Sequence, residues 1–451
     1  MYCIRKTKHR AKKLVQVKIM VTSIVICALT CLTMILSVLF FPTIKLGKIK
    51  IDSYWCIVLL GALLLIVTGQ ADISEIGKEL VSDSAINPIK ILVLFISMTI
   101  LSIFLDELGF FRHLANITLK RAKTSQFKLF LYLYVTVSVL TVFTSNDVII
   151  LSFTPFICYF AKNAKINPIP YLAAEFVAAN TWSMMLIIGN PTNIYLATAY
   201  GINFVEYMTV MVLPTLAAGT VAFFALFLLF RKKLSEPLTG SPEETEIADK
   251  LYLWVGLAHL GICTLALAIG SYIGLEMWLV SLVSVISLFI FVLVIALVRK
   301  RAPVELGACL KRAPWQLTPF IIGMFVMVIV LESKGLTANI ATFLGEDFAV
   351  MKYGLTSFLA ANVINNIPMS VLFCSIIENV TMDTTALVFA SVIGSNIGAF
   401  LTPIGALAGI MWSSILKTHN LKFGYLDFLN IGVTVAIPSI LAALGALTLI
   451  I

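Results

Sequence analysis

Four long segments of the chain contain no lysine or arginine: 251–298, 313–333, 379–416 and 423–451. Each is long enough for the roughly 20 residues with which an α-helix crosses the hydrocarbon core of a bilayer. Only 12% of the residues are charged, about half of the share in soluble domains. An outer-membrane barrel is disfavoured, because its strands would alternate polar and apolar residues. We therefore predict an all-α, multi-pass protein of the cytoplasmic membrane.

The charge and the cysteines argue against other classes of protein. A net charge of +9 is typical of cytoplasmic loops in a membrane protein, so no nucleic-acid partner is expected. The eight cysteines include no CxxC pair, which predicts neither a disulfide framework nor a zinc site, and no cofactor is expected. The basic segment 1–18 precedes an apolar run at 19–41 that is too long for the core of a signal peptide. We predict a basic N-terminal tail followed by a retained first span.

A hydrophilic segment lies near the middle of the chain, at 231–250, and is rich in Pro, Gly, Ser and Glu. This composition predicts a linker, and its basic residues place it in the cytoplasm. The linker separates two predicted transmembrane repeats, residues 19–230 and 251–451. A central linker between halves of similar length is a reason to search for an internal repeat.

The two halves share a sequence motif. "AANTWSMMLIIGNPTN" occupies 178–193, and "IGSNIGAFLTPIGALA" occupies 393–408. A shift of 216 residues places Asn180 on Asn396. A helix interrupted by Gly and Pro in each half is typical of secondary transporters that are built from repeats.

Each half also contains an earlier polar break, around Asn146 in "TSNDV" and around Asn366 in "INNIP". The apolar runs beside each break are short, so we predict a re-entrant hairpin with the polar residues at its tip. Such backbone is tolerated at membrane depth only where it is buried or lines an aqueous cavity. If the first hairpin opens to the cytoplasm and the second opens outward, most of the 32 Lys and Arg residues lie on the cytoplasmic side. The repeats are then inverted, although the basic tail falls outside.

The polar breaks and the helices beside them form the predicted binding site for a substrate or ion. Its residues are Ser145, Asn146, Asp147, Asn180, Thr181, Gly189, Asn190, Thr192, Asn193, Asn365, Asn366, Ser395, Asn396, Thr402 and Gly405. A broken helix presents N–H groups that favour an anion and carbonyl groups that suit a cation. A sodium ion at the Asn-containing breaks fits this pattern, and no other metal is expected. The alternative is that Asn and Ser only join helices by hydrogen bonds.

Two carboxylic acids, Asp147 and Glu175, lie deepest in the predicted spans. An ionised carboxylate there costs about 2.5–3.5 kcal/mol or more. No lysine or arginine within the spans can neutralise Asp147, so burial favours its protonated form. Both residues are candidate coupling groups. The alternatives are that Asp147 caps the hairpin tip and that Glu175, near the start of a helix, interacts with the helix dipole.

Several motifs in order along the chain resemble the ion-transporter superfamily of citrate, arsenite and sodium/proton carriers. They include "LDELGFFRHLA", "NDVIILSFTPF", "NNIP" and "TPIGALAGIMW", and they are most similar to the arsenical pump membrane protein (arsenite permease) family. Members of that family carry Asp where this chain has Asn180 and Asn396, and Lys where it has Phe400. In those three positions the chain is more similar to citrate-type and sodium-coupled members.

The resemblance implies a secondary transporter, not an enzyme, that moves arsenite or antimonite outward, driven by the proton gradient or the membrane potential. One alternative is a sodium- or proton-coupled carrier of citrate, dicarboxylates or inorganic anions, and another is a sodium/proton antiporter. A receptor or scaffold would not need paired polar breaks. The expected partners are the lipid bilayer and a small substrate or ion. A homodimer and an ATPase subunit are left open.

Overall fold

The computed structural model describes residues 20–37, 40–41, 43–46, 49–81, 87–122, 125–237, 247–270, 272–421 and 423–451. Within these residues the chain is nearly all helical. The exception is an antiparallel pair of short strands, β1 (Thr43–Leu46) and β2 (Ile49–Asp52).

The first half contains ten α-helices within the described residues. They are α1 (Met20–Ser37), α2 (Ser53–Val67), α3 (Ile73–Val81), α4 (Pro88–Glu107), α5 (Phe110–Ala122), α6 (Gln126–Phe143), α7 (Asn146–Ala164), α8 (Ile169–Trp182), α9 (Pro191–Ala199) and α10 (Phe204–Leu234). A short 3-10 helix, Ile187–Gly189, lies between α8 and α9.

The second half also contains ten α-helices within the described residues. They are α11 (Lys250–Gly270), α12 (Met277–Val298), α13 (Val304–Arg312), α14 (Leu317–Ser333), α15 (Leu336–Leu344), α16 (Ala349–Ile364), α17 (Asn366–Ile377), α18 (Thr385–Gly398), α19 (Leu407–Thr418) and α20 (Tyr425–Thr448).

Eight stretches of the described chain are long and apolar enough to cross a membrane, and one of them joins α13 to α14. Their outer surfaces expose large aliphatic side chains, including Leu265 on α11 and Leu228 on α10. An apolar exterior of this extent is unfavourable in water and favourable against lipid. The multi-pass membrane fold predicted from the sequence is therefore confirmed.

The breaks between helices follow the sequence repeat closely. Helices α8 and α18 begin 216 residues apart, and α9 and α19 also begin 216 residues apart. The packing is reciprocal as well, because α2 packs against α14 while α12 packs against α4. This correspondence supports the predicted repeat, while the inverted orientation of its two copies stays a prediction.

The ends of each predicted hairpin are joined by hydrogen bonds. Tyr171, just beyond α7, donates to the side chain of Gln126 at the start of α6 (2.7 Å). In the second half, Thr381 beyond α17 donates to Glu346 ahead of α16 (2.5 Å). These bonds place the start of α6 beside the start of α8, and the segment before α16 beside the segment after α17. They support a hairpin in each half, and its re-entrant course in a membrane stays a prediction.

An ion pair and a backbone hydrogen bond connect the end of the predicted cytoplasmic linker to the ends of α12 and α4. Arg299 pairs with Asp249 at 2.6 Å, and Ala248 N donates to Leu108 O at 3.1 Å. Another pair joins Lys90 in the first turn of α4 to Glu276, just before α12, at 2.7 Å. Helix α10 continues to Leu234, so the first four residues of the predicted linker 231–250 are helical. Residues 238–246 lie outside the described residues.

The start of α1 can be placed relative to the other helices. Ser23 donates to Gln70 at 2.9 Å, so α1 begins at the end of the molecule where Gln70 lies. At the opposite end of α1, Ser53 donates to Ser37 at 3.1 Å. The chain therefore enters α1 from the predicted outer side. The basic tail, 1–18, lies outside the described residues.

Candidate functional site

The first polar break places two predicted amides in contact. Asn146, the first residue of α7, donates from Nδ2 to Asn180 Oδ1 of α8 at 3.0 Å. Asn180 in turn donates from Nδ2 to Phe176 O at 2.8 Å. A backbone carbonyl can only accept, so this bond defines the orientation of both amide groups. The remaining atom, Asn146 Oδ1, is buried and has no hydrogen-bond partner among the described residues.

Asn396 joins the two halves at the centre of the site. Its Oδ1 accepts from Ser183 Oγ (3.0 Å) and Asn190 Nδ2 (3.1 Å), and its Nδ2 donates to Asn193 Oδ1 (2.6 Å). The same Nδ2 donates to Val392 O at 2.8 Å, which orients the amide. Among the described contacts, Asn396 of the second half is therefore hydrogen-bonded by three residues of the first half.

The neighbouring side chains complete this first group. Asn190 caps α9, since its Oδ1 accepts from Thr192 N (3.2 Å) and Thr192 Oγ1 (3.1 Å). Asn193 donates to Ser183 O (2.8 Å) and Leu186 O (3.2 Å). These bonds satisfy carbonyl groups released where α8 ends, which is how an interrupted helix is tolerated in a membrane protein.

The polar residues of the second hairpin form a separate group. Asn365 donates to Ile404 O at 3.0 Å, and Asn366 N donates to Gly405 O at 3.0 Å. Thr402 donates to Asn362 Oδ1 at 2.7 Å. The hydrogen bonds of the described residues do not join this group to Asn396.

Glycine is required at the repeat-related turns. A Cβ atom on Gly189 would lie 2.2 Å from Ser183 O, and one on Gly405 would lie 2.4 Å from Gly398 O. Both turns therefore fold back against the end of the preceding helix. This explains why the two glycines occupy equivalent positions of the sequence repeat.

Several buried oxygens near the first group have no partner in the described structure. They are Ser145 Oγ, Asn146 Oδ1, Thr181 Oγ1 and Ser395 Oγ. Leaving such an atom unpaired costs about 1–3 kcal/mol. Each of the four belongs to a residue of the predicted site, so a bound substrate or ion would offset this cost.

A cavity of about 560 Å³ reaches the start of α7. Asp147 lines it together with Asp52, Thr99, Lys311 and Arg312. The sequence analysis expected no lysine or arginine within the spans that could neutralise Asp147. It did not anticipate that Lys311 and Arg312, in the apolar stretch that joins α13 to α14, border the same cavity. A charged solute in this cavity would meet both acidic and basic side chains.

Arg312 also connects the halves beside this cavity. It pairs with Asp106 at 2.6 Å and with Glu107, both at the end of α4. Ser152 on α7 donates to the other oxygen of Asp106 at 2.6 Å. The helix that presents Asp147 is thus linked through α4 to the second half. A neighbouring lining residue, Asp52, has its pKa raised by burial, and a side-chain hydrogen bond with Gln316 opposes this shift.

Glu175 lies elsewhere than expected. It sits in the middle of α8, not at its start, so the predicted interaction with a helix N-terminus is wrong. The side chain is fully buried and accepts from Thr154 Oγ1 at 3.1 and 3.2 Å. Trp412 of α19 packs on the adjacent Phe176, with ring centroids 5.1 Å apart. Glu175 is not among the described residues that line the Asp147 cavity.

The sequence analysis missed three residues that organise the site. Ser183 bonds Asn396, Asn362 bonds Thr402, and Arg312 bonds the end of α4. Ser183 lies within the repeated motif, and its position inside the break was an available signal. Asn362 and Arg312 lie outside the quoted breaks, and only the packing of distant segments reveals them.

The family model described as "Citrate transporter" matches residues 53–394, most of the chain. The chain belongs to the citrate transporter family. The match confirms the predicted superfamily and the multi-pass membrane localisation, and it makes the protein a membrane transporter of anions.

Curated relatives match nearly the whole chain. The arsenical pump membrane protein of Escherichia coli (strain K12) is 28% identical over 413 residues, which cover 86% of this chain and 92% of the relative. That of Yersinia enterocolitica is 28% identical over 374 residues, covering 79% and 85%. The 46 kDa membrane protein of Mycobacterium leprae (strain TN) is 25% identical over 375 residues, covering 78% and 84%.

A solved structure has a similar fold. The YdaH transporter of Alcanivorax borkumensis, whose crystal structure is described as having an unusual topology, matches with a TM-score of 0.55. The match covers 96% of this chain and 98% of that one, at 14% sequence identity. At this identity the likeness concerns the fold alone.

Proposed function

We propose that this chain is a secondary transporter that exports a small oxyacid of the arsenite or antimonite type, coupled to the proton gradient or the membrane potential. The observation that carries the proposal is the unpartnered acceptor Asn146 Oδ1. An acceptor-only atom needs a donor or a cation, and arsenite at neutral pH is As(OH)₃, an uncharged molecule with three O–H donors.

The surrounding chemistry supports the same class of substrate. Ser145, Thr181 and Ser395 offer buried hydroxyl groups that can donate or accept. Asn190 and Asn193, which hydrogen-bond Asn396, carry neutral amides. An uncharged solute would therefore bind here without leaving a buried charge unpaired. The similarity to arsenical pump membrane proteins supports the proposal independently.

We further propose that Asp147 is the coupling group. It lies in the first turn of α7, next to Asn146, and it faces a cavity. A proton that enters the cavity can reach Asp147, while substrate at Asn146 contacts the same turn of helix. Movement of this turn would then depend on both the proton at Asp147 and the substrate at Asn146, which is the requirement for coupling.

The test is transport by everted membrane vesicles that contain the full chain. We expect proton-gradient-dependent accumulation of arsenite, and growth of an arsenite-sensitive host in arsenite when the chain is expressed. The Asn146→Ala chain, which lacks the free acceptor, serves as a site-defective control. Absence of both resistance and reduced cellular arsenic from cells with membrane-inserted protein would overturn the substrate assignment.

A second candidate is a sodium- or proton-coupled carrier of carboxylates or other anions. The observation that favours it is the presence of Lys311 and Arg312 at the cavity that reaches Asp147, since basic residues attract carboxylates. Sodium-dependent uptake of labelled citrate or succinate, without arsenite transport, would support this candidate in place of the first.

A further inference from the structure

A second cavity, of about 310 Å³, lies between α1, α14 and the second hairpin. Four sulfur-containing side chains line it: Cys27, Cys31, Met324 and Met327. The proposed transport site does not include any of these residues. The two cysteines are free thiols in the described structure.

The two thiols are placed to act together. Cys27 and Cys31 are four residues apart on α1, which puts their Cβ atoms about 5–6 Å apart on one face of the helix. Both line the same cavity. Rotation about the side-chain bonds can therefore direct both sulfur atoms at one acceptor atom.

The cavity touches the tip of the second hairpin. Ile364 and Pro368, which line it, flank Asn365 and Asn366. Asn365 has a φ of +74° and a ψ of 153°, a region that is strained for a residue with a side chain. A ligand between the thiols and this tip would contact a segment whose backbone is already strained.

We propose that Cys27 and Cys31 form a dithiol site for trivalent arsenic or antimony, supported by the thioethers of Met324 and Met327. Two thiols condense with one arsenous acid: As(OH)₃ + 2 RSH gives (RS)₂AsOH + 2 H₂O. Two As–O bonds and two S–H bonds break, two As–S bonds and the two new O–H bonds of the released water form, and arsenic stays trivalent. No oxidant or reductant is required.

The surroundings favour this ligand over a metal cation. Apart from the sulfur atoms, the lining is aliphatic, including Leu32, Ile35, Val328 and Leu331. A divalent cation in such a cavity would carry an uncompensated charge at high cost, whereas the dithiol adduct of arsenic is neutral. Zinc sites use four N, S or O ligands, and the described residues contain no group of three or more His, Cys, Asp or Glu placed for a metal. Thiolate and thioether sulfur both suit soft acceptors.

This site goes beyond the proposed function, because it does not depend on which solute is transported. It would place trivalent metalloid beside the second hairpin, away from Asn396. The chemistry also predicts which probe to use. Phenylarsine oxide reacts with a pair of thiols to give one phenylarsenic group bridging two sulfurs and one water.

The experiment uses the full-length chain purified in detergent. Intact mass spectrometry should show one phenylarsenic group per chain, and pretreatment should protect Cys27 and Cys31 from maleimide labelling while leaving Cys56 reactive. The single variants Cys27→Ser and Cys31→Ser should raise the half-saturating concentration at least about 100-fold, as expected when two linked contacts become one. Cys56→Ser, on α2 and outside the cavity lining, is the matched control.

Protection in the unmodified chain does not depend on the folding of any variant. A phenylarsenic group that stays bound in the Cys27→Ser/Cys31→Ser double variant, or one that protects Cys56 instead, would overturn the proposal. So would binding of Ag⁺ at these cysteines without binding of arsenic. Asn396→Leu, which is expected to abolish transport, should keep the adduct, so failure of this proposal and failure of the proposed function give different results.

Discussion

The polar breaks of the two halves are related in sequence but differ in how they are satisfied. In the first half, Asn146 bonds the side chain of Asn180 and keeps a buried oxygen that no described residue bonds. In the second half, Asn365 and Asn366 bond the backbone of Ile404 and Gly405. The first break therefore has capacity for a ligand, while the side chain of Asn365 in the second break is bonded to the backbone of its own half.

The difference extends to the repeat-related amides. Asn180 bonds only first-half residues in the described structure, whereas its counterpart Asn396 bonds Ser183, Asn190 and Asn193 across the interface. A repeat thus supplies similar residues to two places, and the packing of the halves gives them different roles. The asymmetry supports the proposal that substrate binding and coupling belong to the first break, with Asp147 beside it.

The largest expected effect follows from removing the residue that joins the halves. Asn396→Leu leaves Asn190 Nδ2 and Asn193 Oδ1 buried without their described partner, at about 1–3 kcal/mol each, while Ser183 Oγ keeps its bond to Asn180 O. We expect a loss of several kcal/mol of stability together with loss of transport. Thermal unfolding in detergent and vesicle transport measure the two effects. A variant of normal stability would show that the interface does not depend on this amide.

Asp147→Asn should abolish proton-driven accumulation and leave the fold intact. The substitution removes a carboxyl whose ionised form costs about 2.5–3.5 kcal/mol within a span, so stability should not fall. Asp383→Asn is the matched control, because Asp383 also lies near the start of a helix but is exposed and accepts from Thr385 N. Unchanged accumulation in the Asp147 variant would leave Asp147 with a structural role.

Substitutions at the two repeat-related glycine turns test whether both halves depend equally on close backbone packing there. Gly189→Ala and Gly405→Ala should each destabilise by about 1–3 kcal/mol, since the new Cβ overlaps a carbonyl oxygen and forces a backbone shift. Gly261→Ala on α11 is the control, because nothing lies within 4 Å of its added Cβ. Helix propensity should make that change stabilising by about 0.5–1 kcal/mol. Unequal losses at the two turns would show that only one half depends on this packing.

The smallest effect is expected for Asn180→Asp. A protonated Asp can accept from Asn146 and donate its one proton to Phe176 O, so transport should be nearly unchanged. Asn396→Asp is the matched comparison, because Asn396 Nδ2 donates to two acceptors and one carboxylic proton cannot replace both bonds. The transport rate and the thermal stability of each variant are the measurements that compare the two amides. Equal losses would contradict the asymmetry between the amides.

Much of the fold could be predicted from the sequence, because the membrane restricts the options. Apolar runs without Lys or Arg determine helices and spans, since unpaired backbone groups are not tolerated in lipid. The repeat in the sequence placed the interruptions between α8 and α9 and between α18 and α19 correctly. Composition did not reveal β1 and β2, a short hairpin between the first two helices, because four-residue strands carry little periodic signal.

The candidate residues were predictable as types, but their partners were not. Sequence alone determined that Asn146, Asn180 and Asn396 are polar groups within apolar surroundings, where hydrogen bonding is obligatory. Only the tertiary structure decided that Asn180 pairs within its own half and Asn396 across the interface. It also decided that Arg312, 165 positions beyond Asp147 in the chain, borders the same cavity. The physical reason is that hydropathy specifies depth in the bilayer, while the partner of a buried amide depends on the packing of helices that are distant in sequence.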